Sequence, residues 1–209
     1  SRAALLLGRG VKYTFLSMFP PILIIVAFAR EGLRLWLGAE FAQNGARVLQ
    51  WLAVGVLMNS LARLAFTFMQ GIGRTDLTGR LHLAELPFYL AGVWILTRAY
   101  GIVGTAFTWT LRAAADTVLL FGMTWRLLPT GRPVVRSTAL MAGAALPVLA
   151  FFALPFPAAT RGVVLLLALI AFGLVAWFLM LTGEERSVVR GWPARLRGLV
   201  QRDREGSVR

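Results

Sequence analysis

Long apolar runs, separated by short clusters of polar residues, set the pattern of this chain. A bilayer core about 30 Å thick takes roughly 20 mostly apolar residues as a helix. Runs of that kind lie at Tyr13–Ala29, Val48–Met69, Ile102–Trp125, Thr138–Pro157 and Gly162–Leu181. A shorter run, Leu86–Thr97, reaches spanning length if helix extends back through the LTGRLHLAE segment, which sets this span at 84–100. No period-two alternation competes with these runs. The pattern predicts an all-α polytopic membrane helix bundle of about six transmembrane helices over residues 1–182, with a tail at 183–209. Pro20 and Pro21 predict a kink in the first span, because each lacks an N–H and crowds the preceding turn. Glu85 with Pro87 reads as a helix start, its acid favoured by the helix dipole, and His82 as a lone loop histidine. Gly71 and Gly73 read as a helix stop, and Gly101 with Gly104 as a tight turn and a close helix approach.

Composition removes the competing classes. Apolar residues make up 58% and charged residues 15%, with a mean hydropathy of +0.71. Soluble domains average about 45–50% and about 25%. A soluble globular domain and a disordered chain are both excluded. The absence of cysteine excludes disulfides, thiolate zinc sites and a cysteine nucleophile. One histidine is too few for a histidine-rich metal site, and no Walker A, HExxH, GxSxG or paired-carboxylate motif occurs. The expectation is no enzyme, no cofactor and no metal.

The net charge is +13, and all of the 22 cations but Lys12 are arginine. On an apolar chain this charge points to membrane lipids as partners, through loops held at an anionic leaflet, and not to nucleic acid. Six spans place fifteen Lys and Arg on the side of the termini and five on the other. Excess cations mark the cytoplasmic side, so both termini are expected there, in a multi-pass inner-membrane protein. The tail interleaves seven arginines with Trp192, Leu196, Leu199 and Val200. It reads either as a basic interfacial helix or as a flexible charged tail.

Two groups of polar residues fall inside spans, where a central charge costs about 2.5–3.5 kcal/mol. Arg112 and Asp116 stand four residues apart on one helix face, near Thr105, Thr108 and Trp109. They form either a self-neutralised pair that locks two helices or a cavity lining in which Asp116 holds Arg112 or exchanges a proton. Asn59 and Arg63 begin a stripe that continues to Thr67 and Gln70. This stripe serves either interhelical hydrogen bonding or a ligand path. Arg63 has no acid on its own helix, and its planar fork of donors suits phosphate.

Three sequence marks, with the Pro20-Pro21 span before them, resemble the C-terminal part of bacterial polysaccharide flippases. These are the O-antigen and lipid-linked oligosaccharide exporters of the multidrug/oligosaccharidyl-lipid/polysaccharide superfamily. The marks are L-W-L-G-x-x-F at Leu35–Phe41, Q-x-x-G-R-x-D-L-T at Gln70–Thr78 and G-I-x-G-x-A-x-x-W-x-x-R at Gly101–Arg112. The resemblance covers residues 11–127. It implies half of a two-bundle transporter that moves undecaprenyl-diphosphate-linked oligosaccharide between leaflets for surface polysaccharide (O-antigen of lipopolysaccharide). It further implies a fragment, whose partners are the lipid-linked oligosaccharide and the missing N-terminal helix bundle of the same protein. In such flippases cationic cavity residues are thought to hold the lipid diphosphate, a role open here to Arg63 and Arg112. Asp116 would supply ion coupling or simply neutralise Arg112. A lipid II flippase and a drug/cation antiporter share the implied fold. A membrane-embedded polysaccharide polymerase or ligase and a structural anchor subunit are alternatives from other classes. The enzymes typically carry a large outer loop, whereas the longest outer loop expected here, Arg30–Arg47, is short.

Overall fold

A computed structural model describes residues 2–127, 132–154, 156–181, 183, 185 and 186. The tail at 183–209, read as a basic interfacial helix or a flexible charged segment, lies outside the described residues apart from Gly183, Glu185 and Arg186. Five helices follow one another: α1 Arg2–Leu37, α2 Ala39–Gly71, α3 Thr75–Leu127, α4 Arg132–Phe152 and α5 Ala158–Val175. All five are long and apolar enough to cross a membrane, and no strand occurs among the described residues. The chain divides into two units, Ser1–Leu165 and Leu166–Arg209.

In the first unit, α3 has 53 residues, which would run about 80 Å as one straight rod. It does not run straight. Gly101 adopts φ 61°, ψ −143°, outside helical geometry. The flanking limbs fold back on each other. Thr97 and Thr105 share a hydroxyl hydrogen bond of 2.7 Å. A Cβ on Gly92 would stand 3.0 Å from Thr108 Cγ2, and one on Gly104 would collide with the Leu96 carbonyl. These pairs centre on residues 100 and 101, so α3 is an antiparallel hairpin whose two limbs contain the runs at 84–100 and 102–125. Only a residue without a Cβ takes this φ cheaply at the tip.

Helices α1 and α2 form a second hairpin around Gly38, whose φ is 93°. Gln50 Nε2 donates to the Val26 carbonyl at 3.0 Å across it. The expected outer loop Arg30–Arg47 is therefore two helix ends meeting at one glycine. The turn after α2 is equally short, with Gly73 at φ 77°. Glu85 and Pro87 do not start a helix, because α3 already begins at Thr75, and His82 is helical rather than in a loop. The fifth span ends early, at Phe152 rather than Pro157.

The kink expected at Pro20-Pro21 is displaced. Helical φ/ψ persists through both prolines and fails at Phe28 (φ −115°, ψ 23°). Donors explain the position. A break in lipid frees carbonyls that water cannot reach, so protein must serve them. Gln50 takes Val26, and Arg161 Nη1 reaches the Ala27 carbonyl at 2.9 Å. Arg161 also bridges Glu31 at 2.9 Å and donates to the Phe156 carbonyl.

Helix α2 packs parallel to the outgoing limb of α3. Thr110 Oγ1 donates to the Trp51 carbonyl at 2.7 Å, and Thr117 Oγ1 to the Met58 carbonyl at 2.8 Å. Both also back-bond within their own helix. Between these contacts a Cβ on Gly55 would collide with the Trp109 ring and stand 2.9 Å from Thr110 Oγ1. Small residues and hydroxyl bonds are how helices approach closely in lipid. Below lies a core of Leu7, Val11, Leu61, Ala62, Ala65, Leu120 and Phe121. In the second unit, α5 passes into a π-helical turn, Ala176–Met180, where Leu181 N donates to the Ala176 carbonyl at 2.9 Å.

Gly55→Val should destabilise the fold by about 1–3 kcal/mol through overpacking. Thr117→Val should cost about 0.6 kcal/mol, the usual worth of one interhelical hydrogen bond in lipid. Thermal unfolding in detergent measures both; equal losses would contradict close backbone approach as the larger contribution.

Candidate functional site

The fold-back at Gly101 carries the N-terminal limb of α3 alongside its own C-terminal limb. His82 and Glu85 thereby meet Arg112 and Asp116. His82 Nδ1 stands 3.4 Å from Asp116 Oδ1 and 3.5 Å from Glu85 Oε2. Arg112 lies between the carboxylates without closing on either: Nη2 is 3.8 Å from Asp116 Oδ2, and Nε is 4.0 Å from Glu85 Oε2. Its guanidinium sits 5.3 Å from the centroid of the Tyr89 ring. Asp116 is 7% exposed. Among the described residues, Glu85 Oε1 and Asp116 Oδ1 are buried without a hydrogen bond.

The adjoining α2 completes the site. Asn59 and Arg63 line a cavity of about 180 Å³ together with His82, Arg112 and Asp116, floored by Ala62, Phe66 and Leu120. Four of the five residues expected on the substrate path thus share one cavity. Gln70 does not line it. Helical geometry explains why: eleven residues return Gln70 to nearly the same face as Asn59, but about 16 Å further along the axis. Thr67 is rotated by about 80° from Asn59 and lines a separate groove with Leu7 and Gly10 of α1. The polar stripe is therefore divided between two surfaces.

Arg63 is the unusual member. No ion pair or hydrogen bond reaches it among the described residues. Arg112 has two acids within ion-pair reach; Arg63 has an open cavity in front of it. The charges of two arginines and two carboxylates cancel formally, yet they are arranged in two parts, with an acid cluster around Arg112 and an unpaired cation beside it. Such a site can accept an anion at Arg63 or a cation among the carboxylates. The donor atoms of His82, Glu85 and Asp116 lie within 4.8 Å of one another, one nitrogen and two carboxylate oxygens.

Sequence reasoning did not find His82 and Glu85 as members of the site. They lie 19 and 16 residues before Gly101, and Arg112 and Asp116 lie 11 and 15 after it, so the two pairs come near each other only once the 84–100 and 102–125 runs are folded as a hairpin. Thr110, Thr117 and Thr124 repeat every seven residues on one face, and that signal too was in plain view.

Comparison with known proteins gives one partial likeness. The chain is 33% identical over 113 residues to the "Putative O-antigen transporter" of Shigella flexneri. The match covers 54% of this chain and 27% of that protein. No protein-family description and no solved structure matches the chain. The chain is thus an apolar, multi-helix membrane protein similar over half its length to part of an O-antigen transporter.

Proposed function

We propose that this chain is the C-terminal part of a flippase that carries undecaprenyl-diphosphate-linked oligosaccharide across the bacterial inner membrane for O-antigen assembly. The observation that carries the reading is Arg63, an arginine inside a spanning helix that faces a cavity and has no acidic partner among the described residues. A charge so placed is stabilised by a ligand of opposite sign, and guanidinium geometry matches a diphosphate. The likeness to the Shigella transporter supports the same substrate class.

The physical task fits. A sugar diphosphate cannot enter hydrocarbon with its polar groups unsatisfied. A polar cavity facing a companion N-terminal bundle lowers that barrier, and rocking of the two bundles changes the side to which it opens. Arg63 holds phosphate oxygens and Asn59 donates beside it. Arg112 is kept in reserve by Glu85 and Asp116. Gln70 continues the same face towards the end that bears Arg74 and Arg80. No covalent step is required.

A drug/cation antiporter of the same superfamily is the second reading. The observation in its favour is the cluster of His82, Glu85 and Asp116, whose two carboxylates would attract a cationic substrate.

In the complete transporter, Arg63→Ala should reduce surface polysaccharide at equal protein level. Loss of a hydrogen bond to a charged group costs about 1.5–3 kcal/mol, roughly tenfold to a hundredfold in substrate affinity. Arg63→Lys should restore part of the loss. Asp116→Asn separates the two readings: it should spare binding of the lipid diphosphate but abolish protection against cationic dyes in an antiporter. Unchanged polysaccharide in both Arg63→Ala and Arg112→Ala would remove these residues from the substrate path.

A further inference from the structure

Away from the polar cavity, a second cavity of about 560 Å³ opens between the outgoing limb of α3 and α4. Its volume falls in the range of ligand sites, about 300–1,000 Å³. Small residues form its floor: Gly122 on α3, and Ala139, Ala142 and Gly143 on α4. Its two hydroxyls are already committed. Thr117 donates to Met58 and Ala113 carbonyls, and Thr138 to the Val134 carbonyl. The wall is therefore apolar throughout, except at one end.

That end carries Arg126, which has no ion-pair or hydrogen-bond partner among the described residues. Beside it, the Arg132 guanidinium lies 5.6 Å from the centroid of the groove-lining Trp125 ring. The other end closes at Ala114 and Leu146. From Ala114 to Arg126 a helix rises about 18 Å. Half of a bilayer core is about 15 Å. The groove is thus one leaflet deep, apolar along its length and basic at its mouth.

We propose that this groove binds one anionic phospholipid, its acyl chain laid along Gly122 and Gly143 and its phosphate against Arg126 and Arg132. The depth selects a chain of one leaflet over a long polyprenyl tail, and the two arginines select a negative headgroup. The site stands apart from the transport reading; it requires only that the helices lie in a bilayer.

The test uses the 209-residue chain in nonionic detergent. It is titrated with dioleoyl phosphatidylglycerol or dioleoyl phosphatidylcholine, and bound lipid is counted by native mass spectrometry. Phosphatidylglycerol should be retained about tenfold more tightly, a difference of about 1.4 kcal/mol. Arg126→Gln should erase that preference and leave phosphatidylcholine binding unchanged. Gly122→Leu and Gly143→Leu should weaken both lipids, because a Cβ at either position meets nothing within 4 Å and the new side chain enters the groove. Circular dichroism and gel filtration check that these variants remain helical and monodisperse; should they not, Arg126→Gln alone decides. Equal retention of the two lipids overturns the proposal. So does wild-type binding by the leucine variants, displacement of phosphatidylglycerol by undecaprenyl phosphate at about tenfold lower concentration, or a dimer that dissociates on Gly122→Leu.

Discussion

Hydrocarbon offers no hydrogen-bond partner, so a chain folded in it must settle each polar group against its own atoms. That constraint organises this molecule from the backbone outward. Where α1 breaks at Phe28, side chains from α2 and α5 serve the freed carbonyls. Where α3 would overrun the bilayer, Gly101 turns it back so that each limb covers part of the other. The hydroxyls of Thr110 and Thr117 are spent on carbonyls of their own helix and of α2. Against this background of settled groups, the exceptions gain meaning. Arg63 and Arg126 face open cavities, and Glu85 and Asp116 each keep a buried oxygen without a hydrogen bond.

Much of the fold was legible in the sequence because span length and hydropathy are strong signals in lipid. The runs at 48–69 and 102–125 reappear within α2 and the second limb of α3, and Gly73, Gly101 and Gly104 act where their residue type requires, whereas Gly71 is an ordinary last residue of α2. The proline pair misled, since the backbone breaks where side-chain donors are available rather than where a donor is lost. Those donors, Gln50 and Arg161, are distant in sequence and reach α1 only after folding. The site was half legible. Asn59, Arg63, Arg112 and Asp116 stand out because polar residues inside spans are costly. His82 and Glu85 were not legible as members, because nothing marks them until the hairpin pairs residue with residue across Gly101.

The two cavities use neighbouring faces of one helix. Asp116 and Leu120 turn towards the polar one, Thr117 and Phe121 towards the apolar one. One residue step along α3 therefore separates a surface made for charge from a surface made for a hydrocarbon chain. The packed layer of Leu120, Phe121, Leu61 and Ala62 keeps them apart.

The hydroxyl contacts from Thr110 and Thr117 fall at the same interval on both partners, seven residues on α3 and seven on α2. A slip of a single residue would break both at once and drive the Trp109 ring into a new neighbour of Gly55. Such a pair cannot slide by degrees; it moves as one plank. Arg63 and Asp116 stand one on each helix of that pair and face the same cavity. The remaining wall of the polar cavity, with His82, comes from the first limb of the same hairpin, which the Thr97–Thr105 hydrogen bond ties to the second.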